Sequence, residues 1–234
     1  MTQKTKKSAS AIIVAAGSGS RMGTDVNKQF LLIDEIPVLA RTLKAFDKSN
    51  SIDSITVVAR QEDILLVNDL VREFDISKIK AIVPGGKTRQ DSVMNGLEQV
   101  KNDGFVAIHD GARPFVSARL IDKLVNDAFE YGASAPGVVP KDTVKVADDL
   151  DFVEKTPNRE TLRLIQTPQV FRADDLKLAY IRAKESGFEG TDDCSIVENM
   201  GISVHLTRGE YTNIKVTTPE DLPIAEAICE FLEK

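Results

Sequence analysis

The chain has no tryptophan in 234 residues, and it has two cysteines and two histidines. Cys194 and Cys229 stand far apart without a CxxC spacing, and His109 and His205 form no HxxxH pair, which argues against a structural zinc site. An excess of basic residues is also lacking. Thirty Lys and Arg against 36 Asp and Glu leave a formal charge of −6. That balance argues against a nucleic-acid binder, because phosphate-backbone affinity needs clustered Lys and Arg. The longest strongly apolar run, Ala11 to Ala16, is far too short to span a bilayer and lacks the cleavage pattern of a secretory signal. The expectation is a soluble, cytoplasmic protein that meets no membrane, with Met1 to Lys7 as a solvated, lysine-bearing tail. What remains is ordinary: 42% hydrophobic and 28% charged residues, enough for one packed domain over residues 1–234.

Short β-branched runs alternate with stretches of helical period. Ala11 to Ala16, Ser54 to Ala59, Lys80 to Val83, Phe105 to Ile108 and Ser134 to Val139 read as strands. Between them, Ile64, Val67, Val71 and Phe74, then Val93, Leu97 and Val100, then Ile121, Leu124, Val125 and Ala128 recur at helical spacing. Strict alternation of this kind predicts an α/β fold, a mainly parallel sheet sandwiched by helices. The pattern breaks after Pro140. Two charged alternating segments around Asp148-Asp149-Leu150-Asp151 predict a protruding β-arm over about 140–166. Helical period returns over Asp174 to Lys184, over Asp192 to Met200 with Thr191 as N-cap, and over Pro219 to Leu232 behind Thr218.

The first strand ends in Ala15-Ala16-Gly17-Ser18-Gly19-Ser20-Arg21-Met22-Gly23, and about 20 residues pass before the next helix near Pro37. A connection that long inside a compact domain is usually functional, and open α/β sheets bind ligands at the carboxyl ends of their strands. Gly17 and Gly19 let backbone N–H groups approach an anion, and Arg21 and Lys28 add full positive charge. The dinucleotide fingerprint fails at Met22, and the P-loop fails for want of GK followed by Ser or Thr. A second strand–glycine–helix junction, Gly85-Gly86-Lys87-Thr88-Arg89-Gln90-Asp91-Ser92, and the stretch His109-Asp110-Gly111-Ala112-Arg113-Pro114 bring further polar groups to the same edge. Asp110 can position a hydrated Mg²⁺ or accept from a substrate, and Arg113 can hold a phosphate or pair with a carboxylate. His109 reads as a locally packed residue.

These motifs, with NKQF, KDTVK, TPNRETL, QTPQVF, TDDCSIVE and NIKVTTPEDL following in order, closely resemble the 2-C-methyl-D-erythritol 4-phosphate cytidylyltransferases, nearly end to end. The resemblance implies a Rossmann-like nucleotidyltransferase fold and a homodimer in which each arm reaches the partner's site. It implies CTP and a polyol phosphate as substrates, with Mg²⁺ bridging the phosphates. Arg21, Lys28 and Lys215 match the catalytic cations. Ala15, Ala16, Gly17, Gly19, Gly86, Arg89 and Ser92 match the nucleotide side; Asp110, Arg113, Thr167 and Thr191 match the substrate side; and Thr143 and Arg159 match residues that the arm lends to the other subunit. Asn27, Lys87 and Asp193-Cys194 depart from the commonest family pattern.

Cytidylyl transfer suits this residue set. The attacking phosphate is already an anion at neutral pH, so the reaction needs alignment and charge neutralisation rather than a strong base or a covalent relay. A ribitol-5-phosphate or other polyol-phosphate cytidylyltransferase is the nearest alternative, and a non-catalytic nucleotide-binding module is the alternative of another class.

Overall fold

The computed structural model describes residues 7–17, 28–100 and 104–233. In chain order the elements are β1 (Ala9–Val14), the hairpin β2 (Leu32–Ile33) and β3 (Ile36–Pro37), α1 (Val38–Lys48), β4 (Ile52–Ala59), α2 (Ile64–Glu73), β5 (Ile79–Pro84), α3 (Arg89–Leu97) and β6 (Phe105–Asp110). They continue with α4 (Ala118–Tyr131), β7 (Ala133–Val138), β8 (Val146–Ala147), β9 (Val153–Lys155), β10 (Leu164–Ile165), β11 (Gln169–Arg172), α5 (Ala173–Ser186), α6 (Asp193–Glu198), β12 (His205–Arg208) and α7 (Asp221–Leu232).

The main sheet runs β5-β4-β1-β6-β11-β7, with β12 on the far side of β7 and β10 beside the end of β7. Every pairing is parallel except those of β10 and β11. Period-two alternation divides the core between the two faces. Ala11 and Ile13 of β1 face α1, α2 and α4, where Leu39, Leu43, Phe46, Val67 and Leu124 are buried. Ile12 faces α3, α5 and α6, against Val93, Leu97, Leu176 and Val197. A third cluster, Ile33, Val38, Val216, Ala225 and Cys229, seats α7 on the hairpin.

The chain leaves β1 for β4 and β5, then crosses back over β1 to β6. The order therefore reverses between β1 and β6, and the connections diverge above their carboxyl ends to leave a crevice there.

The alternation expected from the sequence is present, with corrections at its edges. β1 stops at Val14, because Ala15 to Gly17 leave the sheet. β11 and β12 fall outside the strand expectations. β11 is an antiparallel insert of four residues, and β12 carries exposed residues at alternate positions, so neither makes a long apolar run. The N-cap of α6 is Asp192 rather than Thr191: its carboxylate accepts from Ser195 N at 2.9 Å in a reciprocal capping box. At α7, Thr218 does not cap. Asp221 instead accepts from the backbone N–H groups of Thr217 and Thr218 at 2.7 and 2.9 Å.

The arm forms the β8–β9 ribbon. Its turn is held by Asp148, whose carboxylate accepts from Leu150 N and Phe152 N, both at 2.9 Å. Leu150 and Phe152 are 77% and 70% exposed. The return leg rejoins the sheet at β10, against Gly137 and Val138.

Candidate active site

A cavity of about 350 Å³ opens above the carboxyl ends of β1 and β6. Its walls are Val14, Ala16 and Gly17 at the end of β1 and just beyond it, Gly86 to Arg89 and Ser92 at the start of α3, Asp110 and Ala112 at the end of β6 and just beyond it, and Lys28, Gln29 and Lys215. Among the described residues, four cations (Lys28, Lys87, Arg89 and Lys215) line it against one carboxylate, Asp110.

The α3 turn is built by its own polar residues. Thr88 accepts from Asp91 N at 3.0 Å and Asp91 accepts from Thr88 N at 3.1 Å, a capping box that starts the helix. Ser92 Oγ accepts from Gly86 N at 3.1 Å and donates to Thr88 O at 2.9 Å, so its hydroxyl folds the turn. Gly85 is required by close approach. A Cβ there would lie 2.3 Å from Ala16 Cβ, so this glycine lets the first loop and the second turn touch.

Asp110 is the electrostatic centre. Lys215 Nζ donates to its Oδ2 at 2.8 Å, Arg113 Nε stands 3.7 Å from Oδ2, and Arg89 Nε stands 3.6 Å from Oδ1. Burial alone would push the carboxyl up, but Lys215, then Arg89 and Arg113, override it and hold Asp110 well below the usual carboxylate range. It is ionised at neutral pH.

Behind Asp110 lies a buried relay. Asp110 N donates to Thr167 Oγ1 at 3.1 Å, Thr167 Oγ1 lies 2.9 Å from His109 Nδ1, and His109 Nε2 lies 3.3 Å from Arg113 O. The carbonyl can only accept, so Nε2 carries the ring proton and Nδ1 accepts from the threonine hydroxyl. Burial pushes His109 down to about 3, which keeps the ring neutral. His109 is therefore a packed positioning group, as its sequence context suggests, and its ring lies against Phe46. Arg113 Nη1 donates to Asn213 O at 2.9 Å, and Asn213 Nδ2 donates to Thr167 O at 2.9 Å, which ties the segment before Lys215 to the same relay. Residues 213–217 form no strand; Val216 N donates to Ala112 O instead.

The cavity thus gathers Ala16, Gly17, Lys28, Gly86, Arg89, Ser92, Asp110 and Lys215 from the expected set. Ala15 is buried beneath it, and Arg113 and Thr167 touch it through Asp110. Gly19 and Arg21 lie outside the described residues. Thr191, Thr143 and Arg159 do not line it. Arg159 instead donates to Lys141 O at 2.8 Å on the arm. Lys87, singled out in the sequence as a departure from the family pattern, also lines the cavity, whereas Thr88, Gln29, Ala112 and Val14 were not picked out as wall residues. Thr88 and Asp91 carried a legible sign, a capping residue three positions before an acid. Burial pushes the Cys194 thiol up, with Asp192 and Asp193 adding to the effect, so this cysteine is an inert core residue.

A mostly parallel α/β sheet whose strand ends set an ionised carboxylate among basic side chains in a cation-lined cavity defines a phosphate-handling protein of the nucleotidyltransferase type. Residues 9–231 match the family 2-C-methyl-D-erythritol 4-phosphate cytidylyltransferase. A protein of that name from Clostridium botulinum strain 657 is 47% identical over 224 residues, covering 95% of this chain and 98% of the relative. One from Clostridium acetobutylicum is 47% identical over 219 residues, 93% and 96% of the two chains. Among solved structures, 4-diphosphocytidyl-2C-methyl-D-erythritol synthase from Anaerococcus prevotii superposes with a TM-score of 0.86 at 36% identity, covering 98% of this chain and 97% of that one. The Thermus thermophilus cytidylyltransferase superposes at 0.77 with 30% identity, covering 95% and 99%. The chain belongs to the 2-C-methyl-D-erythritol 4-phosphate cytidylyltransferase family.

Proposed function

We infer that the chain transfers the cytidylyl group of CTP to 2-C-methyl-D-erythritol 4-phosphate, releasing pyrophosphate. The observation that carries this reading is the cation-lined cavity around Asp110, in a chain matching that family over residues 9–231. A phosphate oxygen of the polyol phosphate attacks the α-phosphorus in line as the bond to the β,γ-diphosphate breaks. Lys28 and Lys215 neutralise the approaching polyanions, and Gly17 and Gly86 let the backbone come close to the nucleotide. Arg21 completes the cation set by family position. Arg113 and Thr167 hold Asp110 in place, so that it can accept from a substrate hydroxyl or a metal-bound water.

The donor set fits Mg²⁺. An ion of this kind takes one or two protein carboxylates and otherwise phosphate oxygens and water, and Asp110 is the one carboxylate in the cavity wall among the described residues. When bound, the ion supplies charge neutralisation across the phosphates.

The working form is a homodimer. Leu150, Phe152 and Val153 on the arm are exposed apolar side chains that a second copy would cover, and Thr143 and Arg159 stand away from their own chain's cavity, on the arm that would serve the partner's. No helix among the described residues is long and apolar enough to cross a membrane. A pyrophosphate-release assay comparing methylerythritol phosphate with ribitol 5-phosphate, each with CTP, UTP and ATP, tests the reading. Turnover with CTP and methylerythritol phosphate is expected; preference for ribitol 5-phosphate would overturn it.

A further inference from the structure

Arg89 belongs to the cavity wall, but what fixes it lies beneath. Asp193, at the first position of α6, has a fully buried side chain. Its carboxylate accepts from both ends of the Arg89 fork, Nη1 to Oδ1 at 3.0 Å and Nη2 to Oδ2 at 2.6 Å, and also from the Tyr180 hydroxyl. Arg89 and Asp193 are 104 positions apart in sequence, so the pair joins the nucleotide turn to the helix that follows Thr191. On its other edge, Arg89 Nε faces Asp110 at 3.6 Å.

We propose that Asp193 is a positioning residue for CTP, acting through Arg89. The proposal rests on the cytidylyltransferase reading for the identity of the ligand. A free arginine beside Asp110 would close bidentately on that carboxylate, since planar fork-to-carboxylate pairing is the strongest arrangement open to it. Asp193 satisfies that fork from below. Arg89 therefore presents only its Nε edge to Asp110, and Asp110 keeps an oxygen for Lys215. Tyr180 holds the carboxylate from the other side. Burial, reinforced by Asp193, pushes the Tyr180 hydroxyl's pKa up, so it stays a donor. A fully buried carboxylate is retained only where it is paired this completely. Removing its charge releases Arg89 toward Asp110 and disturbs the cation array that the triphosphate meets.

The test is a double-mutant cycle with D193N, R89Q and the combined variant, read by calorimetric CTP affinity, by KM for each substrate and by thermal midpoint. D193N is expected to raise the Kd and KM for CTP about tenfold, the coupling ordinarily seen between residues in direct contact. The KM for the polyol phosphate stays within about twofold, and D193E recovers most of the CTP affinity. In the R89Q background D193N weakens CTP no further, and the combined variant melts above R89Q, because no buried charge is left unpaired. A folded D193N with unchanged CTP affinity overturns the proposal, as do losses of CTP affinity that add in the combined variant. Should both single variants fail to fold, the combined one decides: CTP affinity weakened about tenfold supports the proposal, and wild-type affinity overturns it. CTP binding and melting are read without turnover. Loss of the polyol-phosphate reaction would therefore refute the functional reading while leaving this cycle interpretable.

Discussion

Lys215 donates to Asp110 at 2.8 Å, although the two residues are 105 positions apart. The carboxylate has two further cations beside it, Arg89 and Arg113, so it does not depend on the lysine for charge balance. Lys215→Ala is therefore expected to keep the fold and lose kcat by about 100-fold, the usual cost of deleting one transition-state charge donor. Pyrophosphate release and a melting curve check both halves. A wild-type kcat would remove Lys215 from the chemistry.

Lys28 is buried in the cavity wall beside the first loop. Lys28→Ala is expected to lower kcat more than about tenfold, with circular dichroism unchanged. Near-normal turnover would sink its assignment.

Gly85→Ala drives a methyl to 2.3 Å from Ala16 Cβ. We expect a loss of about 1–3 kcal/mol of stability, as for other overpacked sites, with weakened CTP binding. Ala16→Gly in the same chain empties the space and restores most of both, which urea unfolding and calorimetry can measure. No recovery would mean that the two loops do not bear on each other.

His109 has an ordinary pKa near 6.5 and, buried, one of about 3. Between those values the unfolded chain binds a proton at this residue and the native chain does not. Its contribution to stability is therefore unfavourable as pH falls, by about 1.4 kcal/mol for each unit below 6.5 until the folded value is reached. His109→Asn keeps an acceptor for Thr167 and removes the titration. Its unfolding free energy should fall less steeply between pH 6.5 and 4 than that of the wild type. Parallel slopes would refute the account.

The arm exposes Leu150 and Phe152 at its tip. On the proposed dimer, replacing both with Ser is expected to shift the molecular mass in solution from dimer toward monomer and to raise the KM for the polyol phosphate, the arm's Thr143 and Arg159 being withdrawn from the partner's site. A wild-type mass that is monomeric at micromolar concentration with full activity would contradict the dimer.

Much of this molecule is set by local chemistry that a sequence displays. The β-branched runs of β1, β4 and β6, the helical spacing of Ile121, Leu124 and Ala128, and the turn residues of the arm all act within a few positions, so the alternating α/β order and the protruding arm are legible from the residues in line. The glycines after β1 and β5 likewise point to an anion site at the strand ends. The weak strands β11 and β12 were not legible, because they are fixed by distant pairing partners, β6 and β7 for β11 and β7 for β12.

Which polar groups are free to meet a ligand was decided only when the chain closed. The hydroxyls of Ser92 and Thr167, which match the family's nucleotide and substrate sides, also hold the fold itself, donating to Thr88 O and meeting His109 Nδ1. His109 became a neutral relay because the sheet buries it. Asp193, an acid at a helix start, became the anchor of Arg89 because the fold brings the first residue of α6 against the first residue of α3. Sequence determines which residues can bear charge. The partner that spends each charge is supplied across a hundred residues or more by tertiary contact, and burial sets how strongly that pairing is enforced.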